Sequence, residues 1–163
     1  MTIRIGNGFD IHRFEEVSTG RVLVLGGVQF PEERALAGHS DADVIAHAIA
    51  DALLGAAGLG DIGMHYPDTD PQWSGADSLQ LLADVVKTLA AHGWSVANVD
   101  CSIVCELPKI APHREKMQSN LSAVVGAPVS VKGRRSEGIG AIGRGEGIMC
   151  FASALITATP ENR

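Results

Sequence analysis

Asp10 and His12 stand two residues apart in a segment that reads as a strand, so both side chains leave the same face. A carboxylate oxygen and an imidazole nitrogen at that spacing suit one divalent cation, and a third ligand would complete the protein's share of a tetrahedral zinc site. His47 is the candidate third ligand. It lies where Val44, Ile45, Ala48, Ile49, Ala52 and Leu53 recur at helical spacing, with Asp43 one turn before it and Asp51 one turn after. Either carboxylate would accept a hydrogen bond from the ring and orient it. One carboxylate with two imidazoles leaves a coordination position open, the pattern of a catalytic metal rather than a structural one. The plainer alternatives are a D-x-H pair without function and a solvated Asp–His–Asp helix face.

Three further segments carry candidate chemistry. His39-Ser40 precedes the helix of His47, where backbone amides, a hydroxyl and an imidazole form a seat for an anion; the alternative for Ser40 is helix capping. Asp61-Ile62-Gly63 and Tyr66-Pro67-Asp68-Thr69-Asp70 are acidic and turn-rich, which suits a ribose, although turn chemistry alone explains them. Residues 133–147, GRRSEGIGAIGRGEG, hold six glycines, with Arg134, Arg135 and Arg144 among them. Glycines let main-chain N–H groups approach phosphates and the guanidinium groups add charge, yet no G-K-[ST] follows, so this is not a P-loop. A flexible hairpin loop is the competing reading.

Elements that position these groups follow from periodicity. Residues 3–12 and 21–25 look extended and suggest a hairpin with each other. Residues 40–56 read as a helix capped by Ser40 or Asp41, and Asp77 caps a second helix over 78–92 that Gly93 ends. Residues 95–105 alternate as a strand, 112–125 form a third helix stopped by Gly126, and 129–132 and 147–158 are strands. The order ββααβαββ indicates an α+β fold, a mixed sheet with helices packed on one face. With no linker or repeat, residues 1–163 read as a single domain.

Composition bounds the partners. At 163 residues with 45% hydrophobic and 20% charged residues, the chain is an ordinary globular one rather than a disordered one. A net charge of −6 weighs against nucleic acid. The charge is divided: residues 1–86 carry 13 acids against 4 bases, and residues 87–163 carry 6 acids against 9 bases. An acidic half suits a cation and a basic half an anionic ligand, although solvated helix faces would explain both. No apolar stretch is of signal-peptide or membrane-spanning type, so no membrane partner is expected. Cys101, Cys105 and Cys150 lack metal-like spacing and read as reduced thiols, which points to the cytoplasm, or to an organelle matrix after removal of a transit peptide.

The segments GFDIH, AGHSDADVIAHAIADALLGAAGLGDIG, YPDTD, LPKIAPH, SEGIG and GRGEG occur in an order that resembles the 2-C-methyl-D-erythritol 2,4-cyclodiphosphate synthase family, from about residue 3 to residue 156. The resemblance implies a homotrimer with active sites at subunit interfaces and one zinc ion per subunit on Asp10, His12 and His47. It implies as substrate a cytidine diphosphate ester carrying a second phosphate on its methylerythritol, which His39 and Ser40 touch, with His39 in a catalytic role. Asp61, Ile62, Gly63 and the segment Tyr66, Pro67, Asp68, Thr69 and Asp70 would handle the sugars. Cys105, Leu107, Pro108, Lys109, Ile110 and Ala111 would form the cytosine pocket of a neighbouring subunit. Glu137 would hold magnesium or manganese bridging the diphosphate. Arg144 and Glu146 would lie near the trimer axis beside an apolar cavity that suits an isoprenoid diphosphate.

One departure bears on the chemistry. Where the family offers a run of threonines to the diphosphate, this chain has Gly133, Arg134, Arg135 and Ser136, and an aromatic of the axial cavity is replaced by Ala141. Three outcomes are open: Arg134 and Arg135 bind the phosphates, with Arg135 joining catalysis; they point away and backbone does the work; or turnover is weakened. Two rival functions go with this loop, a zinc phosphodiesterase on a related substrate and a non-catalytic trimer that binds nucleotide or isoprenoid diphosphate.

Overall fold

A computed structural model describes residues 2–158. The main sheet contains β1 (Ile3–Arg13), β6 (Gly147–Ala158), β4 (Trp94–Val104) and β5 (Val129–Arg134), in the order β1-β6-β4-β5. β6 runs antiparallel to both neighbours, whereas β4 and β5 are parallel, joined by a crossover through α4 (Arg114–Val125). Two longer helices complete the layer, α1 (Val44–Ala57) and α3 (Ser78–Ala91). α1 lies on β1 and β6, α4 on β5, and α3 bridges α1 and α4, so the helices share one face of a mixed sheet.

The expected hairpin between 3–12 and 21–25 does not form. β2 (Leu23–Leu25) instead pairs with β3 (Val28–Phe30) in a separate two-stranded ribbon. Gly26 and Gly27 both have positive φ, 57° and 69°, and make a two-residue turn that returns the chain at once. An eleven-residue β1 would find few backbone partners on a three-residue strand; β6 pairs with it along its whole length, from Ile3↔Thr157 to Arg13↔Gly147.

Helix α1 starts later than expected. Ala42 has a left-handed φ of 59°, which breaks helical continuity after Ser40 and Asp41, and Asp43 is the cap, accepting from the N–H groups of Ile45 and Ala46. The glycine-rich segment is more ordered than a plain loop: β5 reaches Arg134, and a single turn, α5 (Gly140–Gly143), precedes β6.

Two glycines in β1 set the distance between helix and sheet. A Cβ at Gly8 would overlap the carbonyl oxygen of Ala48, and one at Gly6 that of Ala52. α1 therefore rests directly on the strand backbone, with His47 beside Asp10 and His12. The opposite face of the sheet is bare and apolar: Ile5 is 72% exposed, and Phe9 and Phe151, partners across β1 and β6, stack at 4.9 Å. Among the described residues, no helix is long and apolar enough to cross a membrane. The three cysteines are free and buried.

Candidate functional site

Asp10, His12 and His47 meet in one place. Asp10 Oδ2 lies 3.0 Å from His12 Nε2 and 3.0 Å from His47 Nδ1, and the two ring nitrogens are 3.4 Å apart. Their outer nitrogens have other partners. His12 Nδ1 donates to the carbonyl of Ala37 at 2.8 Å. Ser78 spends its hydroxyl proton on Asp41, so it accepts from His47 Nε2–H at 2.8 Å. Both tautomers are then fixed, and the inner nitrogens turn their lone pairs towards a carboxylate oxygen. Three acceptors crowded together call for a cation. Two imidazoles and one carboxylate, with a cavity alongside, fit zinc with an open position.

With no cation between these groups, a proton takes its place. Burial works to raise the Asp10 carboxyl, but its bonds to His12 and His47 hold it well below the usual carboxylate range. Burial works to lower His12, and the bond and charge of Asp10 overcome this and raise it.

The expected orienting role of Asp43 and Asp51 is not what the structure shows. Asp43 is fully buried and accepts from Gly26, Gly27, Ile45 and Ala46, and Asp51 accepts from the N–H of Ile62 at 2.8 Å. A side chain one turn away on a helix tilts back along the axis, and here both find backbone donors instead. Ser78, held by Asp41, takes the role; in the sequence Ser78 reads only as the first residue of a capped helix, and Asp41 only as a candidate helix cap.

A cavity of about 460 Å³ adjoins the cluster, and its walls bring together Asp10, His12, His39, Ser40, His47, Ile62, Gly63, Tyr66, Pro67 and Asp68. Ser40 does not cap α1; its hydroxyl lies 3.1 Å from His47 Nε2 and accepts from the N–H of Ala42. His39 Nε2 donates to the carbonyl of Asp70 at 2.9 Å, which leaves Nδ1 as the ring atom available to a ligand. Asp61 caps the short helix α2 (Ile62–His65), and Asp70 caps a 3-10 turn at Pro71–Trp73, so their side chains serve local turns; Asp61, Thr69 and Asp70 stand outside the cavity wall.

A second cavity of about 610 Å³ shares no residue with the first. Cys105, Leu107, Pro108, Lys109, Ile110 and Ala111 line it together with Arg134 and Arg135. The 105–111 segment and the arginine-bearing loop thus form one wall system. Arg135 does not reach towards the metal cluster; its guanidinium makes a two-point ion pair with Glu106, at 3.0 and 2.9 Å. Ser136 bonds the same carboxylate, and Glu137 is exposed at a φ of 55°. Arg144 pairs with Glu146 at 2.7 Å on the surface. Glu106 was not singled out from the sequence, where it is one acid between a cysteine and a leucine.

The sequence model of the YgbB family matches residues 3–157. The 2-C-methyl-D-erythritol 2,4-cyclodiphosphate synthase of Rubrobacter xylanophilus is 53% identical over 156 residues, 94% of each chain. The enzyme of that name from Nostoc sp. is 48% identical over 164 residues, 99% of this chain and 98% of its own. Among solved structures, the bifunctional IspDF of Campylobacter jejuni superposes with a TM-score of 0.92 at 39% identity; 99% of this chain is covered, and it spans 44% of that longer protein. The CDP complex of IspF from Plasmodium falciparum superposes with a TM-score of 0.82 at 34% identity, covering 96% of this chain and 97% of that one.

Proposed function

The chain belongs to the YgbB family, and we propose that it converts 4-diphosphocytidyl-2-C-methyl-D-erythritol 2-phosphate to 2-C-methyl-D-erythritol 2,4-cyclodiphosphate and CMP, as a phosphorus–oxygen lyase. The observation that carries this reading is the convergence of Asp10, His12 and His47 on one point beside a cavity walled by His39, Ser40 and the 62–68 segment.

The reaction is an intramolecular phosphoryl transfer. An oxygen of the 2-phosphate attacks the β-phosphorus, the bond from that phosphorus to the CMP oxygen breaks, and CMP leaves with the electron pair. No protein nucleophile is needed. What the protein must do is fold a flexible polyanion until attacking and leaving oxygens are in line, which is worth up to about 7–11 kcal/mol. When bound, zinc on Asp10, His12 and His47 and magnesium or manganese on Glu137 supply positive charge to the phosphates and to the charge that moves in the transition state. His39 and Ser40 hold the methylerythritol phosphate end. Asp61, Ile62, Gly63 and residues 66–70 hold the sugars, and Cys105 with residues 107–111 take the cytosine.

We further propose that the chain acts as a single domain in a homotrimer, with the cavity of one subunit facing the cytosine cavity of its neighbour. The two cavities of one chain share no wall, and the apolar outer sheet face around Ile5, Phe9 and Phe151 is left uncovered by the chain itself. Such a trimer closes an axial apolar cavity where an isoprenoid diphosphate fits, near Arg144. Three free thiols are in keeping with a reducing compartment, the cytoplasm or an organelle matrix.

Phosphorus NMR of the purified protein with substrate, zinc and magnesium tests the reaction. Cyclic diphosphate and free CMP are expected. A linear product carrying solvent oxygen would mean a phosphodiesterase, and bound substrate without CMP release would mean a non-catalytic trimer; either overturns the proposal.

A further inference from the structure

The carboxylate of Glu106, one residue past Cys105 on the wall of the second cavity, gathers five donors. Arg135 gives it Nε and a terminal nitrogen at 3.0 and 2.9 Å, Ser136 its N–H at 3.0 Å and its hydroxyl at 2.7 Å, and Gly138 its N–H at 3.4 Å. The side chain of Glu106 is only 19% exposed, whereas that of Arg135, which covers it, is 69% exposed. Two of the bonded residues, Ser136 and Gly138, flank Glu137.

Glu137 sits at a φ of 55°, a backbone conformation that residues with a Cβ adopt rarely. Something must over-determine it, and the bonds on either side do so: with Ser136 and Gly138 tied to one point, the chain between them has little choice but to turn outwards. Arg135 has a second use here. Without it, the charge of Glu106 would stand beside that of Glu137; with it, the clamp is electrically neutral.

We propose that Glu106 is the positioning residue of this loop: it fixes the direction in which Glu137 presents its carboxylate to a cation on the substrate diphosphate, and Arg135 completes the clamp instead of contacting phosphate. The clamp itself stands on the geometry above; its link to a cation rests on the reading of Glu137 given under Proposed function. Glu106 also joins the cytosine-type segment to the loop, so the wall of that cavity and the setting of Glu137 move as one unit.

The test uses the full-length protein, with Glu106→Gln and Arg135→Thr. In hydrogen–deuterium exchange without metal or nucleotide, Glu106→Gln should speed exchange across residues 135–139 by about tenfold or more, with α1 unchanged. Arg135→Thr, which keeps the Ser136 and Gly138 bonds, should do so by about two- to fivefold. In calorimetric titration with Mn²⁺ and CDP, Mn²⁺ should bind about tenfold more weakly to Glu106→Gln, with zinc content unaltered. Unchanged exchange in Glu106→Gln overturns the clamp. Faster exchange with unchanged Mn²⁺ affinity overturns its positioning role. Failure of the unsubstituted protein to bind Mn²⁺ and CDP counts against the reading of Glu137, and the exchange measurements then decide the clamp alone.

Discussion

Each half of the site hangs on one carboxylate that collects donors, and the two carboxylates differ in everything else. Asp43 is fully buried between α1 and the Gly26-Gly27 turn, and accepts four backbone N–H groups from two elements. Burial pushes its carboxyl up to about 6 against the pull of those donors. Glu106 sits at the surface, and its donors all come from one loop, residues 135–138. The metal half is thus welded to the core, where α1 lies on Gly6 and Gly8 and cannot shift without moving β1. The half around Glu106 is set by a local tie. A metal site with three ligands from two elements needs fixed geometry to within a few tenths of an ångström; a surface loop can be ordered without deep burial.

That contrast predicts unequal consequences. Asp43→Ala removes the acceptor of four N–H groups, two of them at the start of α1, and should cost roughly 3–4 kcal/mol of folding stability. Urea unfolding measures it, and Glu106→Ala is the comparison: its unfolding midpoint should fall by much less, because water reaches the loop donors that it leaves behind. Equal midpoints for both variants would erase the distinction between core and local anchors.

A second substitution probes the metal half without touching a ligand. Ser78 holds His47 in its tautomer through Nε2 and is itself held by Asp41. Ser78→Ala should weaken zinc about 10- to 100-fold, the usual scale for a partner that orients a ligand. Competition with a chelator reads this directly. Zinc affinity equal to that of the unsubstituted protein would mean that packing on Gly8, and not the hydroxyl, aims the ring.

The same contrast explains what could be read from the chain. Asp10 and His12 share a strand face by simple alternation, and the helix of His47 shows in its apolar spacing, so the three residues that meet were legible. Strand 147–158 and the helix capped by Asp77 were legible for the same reason: their determinants are neighbours in sequence. The pairing of β1 was not, because the extended valine and leucine segment 21–25 suggested a partner while the Gly26-Gly27 turn that takes β2 elsewhere went unread. The anchors were hidden more deeply. Asp43 reaches back to Gly26, Ser78 forward from Asp41, and Glu106 across to Ser136, each over 17 or more residues, and no local pattern encodes such contacts. Arg135 illustrates the cost: by composition it reads as a phosphate ligand, and only the position of Glu106 reveals another occupation.

The smallest expected effect lies in the surface tie and concerns protons. The bonds from Ser136 and Arg135 hold the Glu106 carboxyl at about 2, against an ordinary 4.5. A carboxyl lowered by folding gives stabilisation that is complete above its unfolded value and is lost as pH falls through its folded one. The loop should therefore stay clamped as pH drops from 7 to about 4.5 and loosen only in the window between 4.5 and about 2. The amide proton of Ser136, followed by NMR, should hold its shift nearly constant down to the bottom of that window. In Arg135→Thr, with one charged donor gone, the same resonance should titrate at a higher pH, nearer 4.5. A Ser136 amide that titrates at the ordinary value in the unsubstituted protein would show that the carboxylate is not gathered as described. The surface half of the site would then have no anchor comparable to Asp43.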